Sequence, residues 1–134
     1  MPFVLDASIA AAWHFNDAGA AAADALLDAL SEDTAIAPSV WWFEIRNIIV
    51  MGERRGRTSQ RESEAFLQLL SRLPLTLATL PNDKSVIALA RQHRLTVYDA
   101  CYLELALREH LALATLDAHL ADAARAEGVA VIPA

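Results

Sequence analysis

Five short apolar or β-tolerant runs punctuate this chain, at residues 3–5, 34–37, 75–77, 111–115 and 129–132, and helical patterns fill the intervals between them. Strands joined through helices cannot be hairpins; they need right-handed crossovers, and those place helices against both faces of a parallel sheet. The first run, Phe3-Val4-Leu5, reads as a strand buried on both sides. Asp6 follows it directly. A carboxylate beside a core strand is costly unless it is paired, hydrogen-bonded or bound to a cation. In open parallel α/β sheets ligands gather outside the carboxyl ends of the strands, which is where Asp6 is expected.

At 134 residues the chain fits one domain, 1–134, and nothing in it marks a linker, repeat or boundary. The apolar fraction of 55% overstates the core, because 28 residues are Ala, which is equally at home on helix surfaces. A net charge of −6 argues against indiscriminate binding to nucleic acid or to an anionic membrane. The single Cys101 offers neither an internal disulfide nor zinc-ligand spacing, as suits a reducing compartment. The first apolar run lacks a basic segment ahead of it, and no apolar run reaches spanning length. A cytoplasmic, membrane-free protein is expected.

Helices are predicted from Ser8 to Phe15, Ala18 to Leu30, Val40 to Arg55, Ser59 to Leu73, Pro81 to His93, Thr96 to His110 and Ala118 to Glu127. Ser8, Ser39 and Ser59 are the expected N-caps, and Gly56 and Gly128 the expected stops. Inward stripes are read at Leu26, Leu27 and Leu30, and at Phe66, Leu69, Leu70 and Leu73. The third helix is apolar nearly all round, with Trp41, Trp42, Phe43, Ile45, Ile48, Ile49, Val50 and Met51. A small domain buries one such stripe easily, so the other is expected to meet a second chain.

Among seventeen acids, Asp6, Glu44, Asp99 and Asp117 stand out from their surroundings. Asp6 and Asp117 each follow a buried-type strand; Glu44 and Asp99 lie in the first turns of helices. Strand C-termini and helix N-termini share one edge of a parallel sheet, so the four can converge there. Taken singly, each has an ordinary reading as a turn residue, an N-cap or a dipole-stabilising acid. Clustered, they could not all stay ionised without a cation. An all-oxygen donor set favours Mg²⁺ or Mn²⁺ over zinc, and such an ion polarises a phosphodiester.

The segments Val4-Leu5-Asp6-Ala7-Ser8, Glu44-Ile45-Arg46-Asn47-Ile48, Tyr98-Asp99-Ala100-Cys101-Tyr102-Leu103 and Ala114-Thr115-Leu116-Asp117 resemble the four acidic motifs of PIN-domain ribonucleases. In order and spacing they are most similar to VapC-type toxins of bacterial toxin–antitoxin pairs. The resemblance implies an α/β, PIN-like three-layer sandwich with a central five-stranded parallel β-sheet flanked by helices. It further implies a Mg²⁺- or Mn²⁺-dependent endoribonuclease, an RNA substrate, a small cognate antitoxin and a homodimer. By this likeness Asp6, Glu44, Asp99 and Asp117 are the catalytic and metal-binding acids, with Ser8, Asn47 and Thr115 as polar auxiliaries.

Five of the eleven basic residues, Arg46, Arg54, Arg55, Arg57 and Arg61, fall within sixteen positions. They suit phosphate or antitoxin contacts, and equally a solvated helix end. His14, His93, His110 and His119 show no metal-ligand spacing, and Cys101 and Trp13 read as core. A housekeeping RNA-processing nuclease is the alternative within the same class. A receiver-like signalling module also has acids on a sheet edge, but it wants a Lys after a late strand; the one Lys is Lys84, at a helix start. A haloacid-dehalogenase-type phosphatase wants a second Asp where Ser8 stands.

Overall fold

A computed structural model describes every residue, Met1–Ala134. The expected strands form as β1 (Phe3–Leu5), β2 (Ala35–Ala37), β3 (Leu75–Leu77), β4 (Ala112–Ala114) and β5 (Val131–Ile132). All pairings are parallel, in the order β3-β2-β1-β4-β5. Seven helices flank them: α1 (Ala7–Phe15), α2 (Ala20–Ala29), α3 (Val40–Arg54), α4 (Gln60–Ser71), α5 (Asp83–His93), α6 (Val97–Glu109) and α7 (Ala118–Ala126). None is long and apolar enough to cross a membrane.

Successive side chains of a strand point to opposite faces. Phe3, Val4 and Leu5 are all buried, so β1 is covered on both sides and the molecule has three layers. Ile9, Ile45, Leu103, Leu105, Leu113 and Leu120 are sealed around it. Burying each contributes roughly 1.5–3 kcal/mol. Two glycines set close approaches. A Cβ on Gly52 of α3 would lie 2.6 Å from Cζ of Phe15, so α1 packs directly on the α3 backbone. Gly19, at φ +88°, starts α2 at Ala20 rather than Ala18, and a Cβ there would meet both methyls of Leu116 at 3.0 Å.

Several local expectations are corrected. Ser8 does not cap α1: the helix begins at Ala7, with Asp6 in the cap position, and the Ser8 hydroxyl is occupied elsewhere. Ser39 is already in helical conformation and makes no cap bond. Backbone turns start α3 instead, with the Trp41 and Trp42 amides donating to the Pro38 and Ser39 carbonyls. Ser59 does cap α4, accepting from the Glu62 amide at 3.1 Å. Leu69 falls off the inward stripe of α4 and is exposed, while Phe66 and Leu70 are buried. On α3 the stripe Trp41, Ile45 and Ile49 enters the core. Trp42, Phe43 and Val50 of the same helix face outward.

Candidate functional site

The strand order places a topological switch between β1 and β4. From β1 the chain crosses to β2 and β3 on one side, then to β4 and β5 on the other. Crossovers diverge at such a point and open a crevice at the carboxyl edge. Asp6, Thr115 and Asp117 all sit there. The Asp6 amide donates to the Ala114 carbonyl at 2.9 Å, extending the β1–β4 ladder by one bond.

Asp6 is only 5% exposed. Its Oδ2 accepts from Ser8 Oγ at 2.6 Å and from Thr115 Oγ1 at 2.7 Å. Ser8 Oγ in turn accepts from the Leu116 amide at 2.9 Å, and Thr115 Oγ1 from the Asp117 amide at 3.0 Å. Hydroxyls can donate one way and accept another, so two side chains bind a carboxylate and fasten the two strand ends together. Asp117 caps α7, with Oδ1 accepting from the Leu120 amide at 3.0 Å. Its ordinary reading as a cap is thus correct, and it occupies the switch point as well.

Glu44 lies in the second turn of α3 and is half-buried. Tyr102 of α6 donates its hydroxyl to Glu44 Oε1 at 2.5 Å. Asp99 is the third residue of α6, where Thr96 caps the helix by accepting from the Asp99 amide at 3.1 Å. Tyr102 was not among the expected site residues. Two signals were present in the sequence: it lies three positions after Asp99, on the same helix face, and a buried tyrosine needs a partner for its hydroxyl.

The carboxyls act on one another. Burial raises the Asp6 pKa; the Ser8 and Thr115 hydroxyls oppose the rise, and Asp99 and Asp117 add to it. Glu44 is raised by burial and by Asp6 and Asp99, against the Tyr102 hydrogen bond. Asp99 is raised by burial and by Asp117, eased by Thr96 and by His119. Burial, Asp6 and Glu44 hold the proton firmly on Tyr102. No ion pair of the chain involves any of the four acids. They face one another without a Lys or Arg counter-charge, though no three close to ion-coordinating spacing. The donor set nevertheless fits a hard divalent cation: oxygen only, buried at Asp6, and mutually repelling.

Other expected residues are less involved. Asn47 shares the Glu44 face of α3 but is exposed, lining a cavity with Phe15, Met51 and Arg55. Arg46 is about 200° round the helix from Glu44 and stacks on Trp42 at 4.2 Å. Arg54 lies about 15 Å along α3 from Glu44, with Arg55, Arg57 and Arg61 beyond it. Arg57 is bound to both Asp17 oxygens at 2.7 Å and lies over the Phe15 ring. His119 is exposed, within hydrogen-bond reach of the Arg94 carbonyl at 3.2 Å. Cys101 is half-buried and its thiol pKa is pushed up by burial. Trp13 is part-buried and donates to the Ala23 carbonyl at 2.6 Å, tying α1 to α2.

Solved structures share this arrangement of elements, among them the following three. The Pyrobaculum aerophilum protein PAE2754 superposes with a TM-score of 0.68 at 22% identity, covering 98% of this chain and 92% of that one. A chain of a toxin–antitoxin complex from Klebsiella pneumoniae gives 0.61 at 19% identity, covering 86% of each. A chain of VapBC2 from Rickettsia felis, bound to a DNA fragment from their promoter, gives 0.65 at 13% identity, covering 98% and 97%. No curated protein matches the sequence. The PIN domain family matches residues 3–126, from the first strand through the last helix. With every element that carries an acid inside that match, the chain belongs to the PIN-domain family, whose members are nucleases.

Proposed function

We propose that the protein is a divalent-metal-dependent endoribonuclease and the toxin of a toxin–antitoxin pair. One observation carries the chemical part: a nearly buried Asp6 at the sheet's switch point faces three other acids, none of them paired with a Lys or Arg. Asp6, Glu44, Asp99 and Asp117 would hold Mg²⁺ or Mn²⁺. Such an ion supplies Lewis-acid polarisation of a phosphodiester and lowers the pKa of water at the site. Ser8 and Thr115 orient Asp6 by tying its Oδ2. The larger cavities lie away from the acids, one of about 400 Å³ beside Glu104 and Arg108. An open sheet edge suits a polymer backbone better than an enclosed small molecule.

The partner reading rests on the toxin–antitoxin complexes among the similar structures and on the outward stripe Trp42, Phe43 and Val50, which suits a second chain. A homodimer and a small antitoxin are the expected occupants of the exposed surfaces, in the cytoplasm. Cleavage of an unstructured RNA in Mg²⁺ tests the enzyme: wild type cuts, chelation stops it, and Asp99→Asn does not cut. Equal cleavage by wild type and variant rejects the assignment. Growth arrest on expression, relieved by the neighbouring reading frame, separates a toxin from a housekeeping RNA-processing nuclease.

A further inference from the structure

Each acid of the site is held differently. Asp6 is pinned by two hydroxyls and Asp117 by a helix amide, both through short side chains on strand ends. Glu44 has the longest and most flexible side chain of the four, and it projects from a helix. Its one hydrogen-bond partner is the hydroxyl of Tyr102, fifty-eight positions away. Tyr102 is fully enclosed by the core, so its ring has no freedom to follow a moving carboxylate. It shares a face of α6 with Asp99. One rigid helix thus presents one acid directly and grips another across the α3–α6 junction.

From this geometry we infer that Tyr102 is a positioning residue of the acid site: its hydroxyl fixes Glu44 through Oε1, leaving Oε2 as the oxygen offered to a cation. The inference rests on the metal-nuclease reading above and adds to it a residue that touches neither ion nor RNA. A purely structural tyrosine would act through its ring, which Phe reproduces. A positioning tyrosine acts through its oxygen, which Phe lacks. Partners that orient a metal ligand typically govern about 10–100-fold of metal affinity or activity.

The test is Mn²⁺ titration calorimetry on wild type, Tyr102→Phe, Glu44→Ala and the double variant, with thermal melting alongside. Tyr102→Phe is expected to weaken Mn²⁺ binding about 10-fold while remaining folded. In the Glu44→Ala background the same change should have no further effect, because the hydroxyl then has nothing to orient. Wild-type affinity in Tyr102→Phe overturns the inference and leaves the metal site standing. The same loss with and without Glu44 also overturns it, since Tyr102 would then act by another route. A folded wild type that binds no Mn²⁺ overturns the metal site and this inference together.

Discussion

Two carboxylates in this molecule are almost equally buried, Asp6 at 5% exposure and Glu104 at 4%, and they are treated in opposite ways. Glu104 lies on α6, and Arg108 one turn later donates from Nε to both its oxygens at 3.1 Å and from Nη2 to Oε1 at 3.0 Å. The same guanidinium reaches the Thr79 hydroxyl and carbonyl at 3.4 Å, fastening α6 to the segment after β3. Asp6 receives two neutral hydroxyls and faces other acids. A buried charge with a fixed partner serves the fold. One supplied only with neutral donors and set among like charges stores a demand for an external cation. Burial alone does not separate the two; the charge of the neighbour does.

The strongest way to break this contrast is to remove the negative charge at each position. Asp6→Asn is expected to lower RNA cleavage at least about 100-fold while leaving the metal-free fold as stable as wild type or more so. Glu104→Gln should do the reverse, keeping cleavage and losing about 1–3 kcal/mol in urea unfolding, a figure reduced because Arg108 is partly exposed. Loss of cleavage in Glu104→Gln, or full cleavage in Asp6→Asn, would erase the distinction.

Cation binding sharpens it next. Mn²⁺ at a hundred times its dissociation constant should stabilise wild type by about 2.7 kcal/mol, Glu104→Gln equally, and Asp6→Asn far less, read as a shift in the urea midpoint. The pH dependence follows with a definite sign. Asp6, Glu44 and Asp99 release their protons at higher pH in the folded protein than in the unfolded chain. Between those two ranges the folded state binds more protons, so metal-free stability falls as pH rises through the window. Asp6→Asn should flatten part of that fall. The smallest effect is expected at Arg57→Ala. Its bond to Asp17 is exposed on both sides, and its removal should cost under about 1 kcal/mol with no change in cleavage.

Much of this was legible in the residues. The first strand was legible because the short apolar run Phe3-Val4-Leu5, bounded by a turn-prone Asp and Ser, suits a strand covered on both faces, and β1 is buried throughout. Asp6 was conspicuous because it followed such a run. Glu104 was not, although Leu103 and Leu105 flank it as Phe43 and Ile45 flank Glu44. The distinguishing sign was Arg108 four residues on, a spacing that brings opposite charges together on a helix. The Ser8 and Ser39 caps were misplaced because capping chemistry is local, whereas the hydroxyl of Ser8 is claimed by residues more than a hundred positions away. The lateral order of the strands is likewise a long-range outcome, with no imprint in any one segment.

The fastening of Ser8, Asp6 and Thr115 to the Leu116 and Asp117 amides has a mechanical corollary. Strands of three residues offer few ladder bonds to resist slippage. If β4 slid by a single residue, Thr115 would turn to the other face of the sheet and release both its grips at once. Misalignment and loss of the Asp6 anchorage are therefore the same event: a mispaired copy of this chain carries no assembled acidic edge.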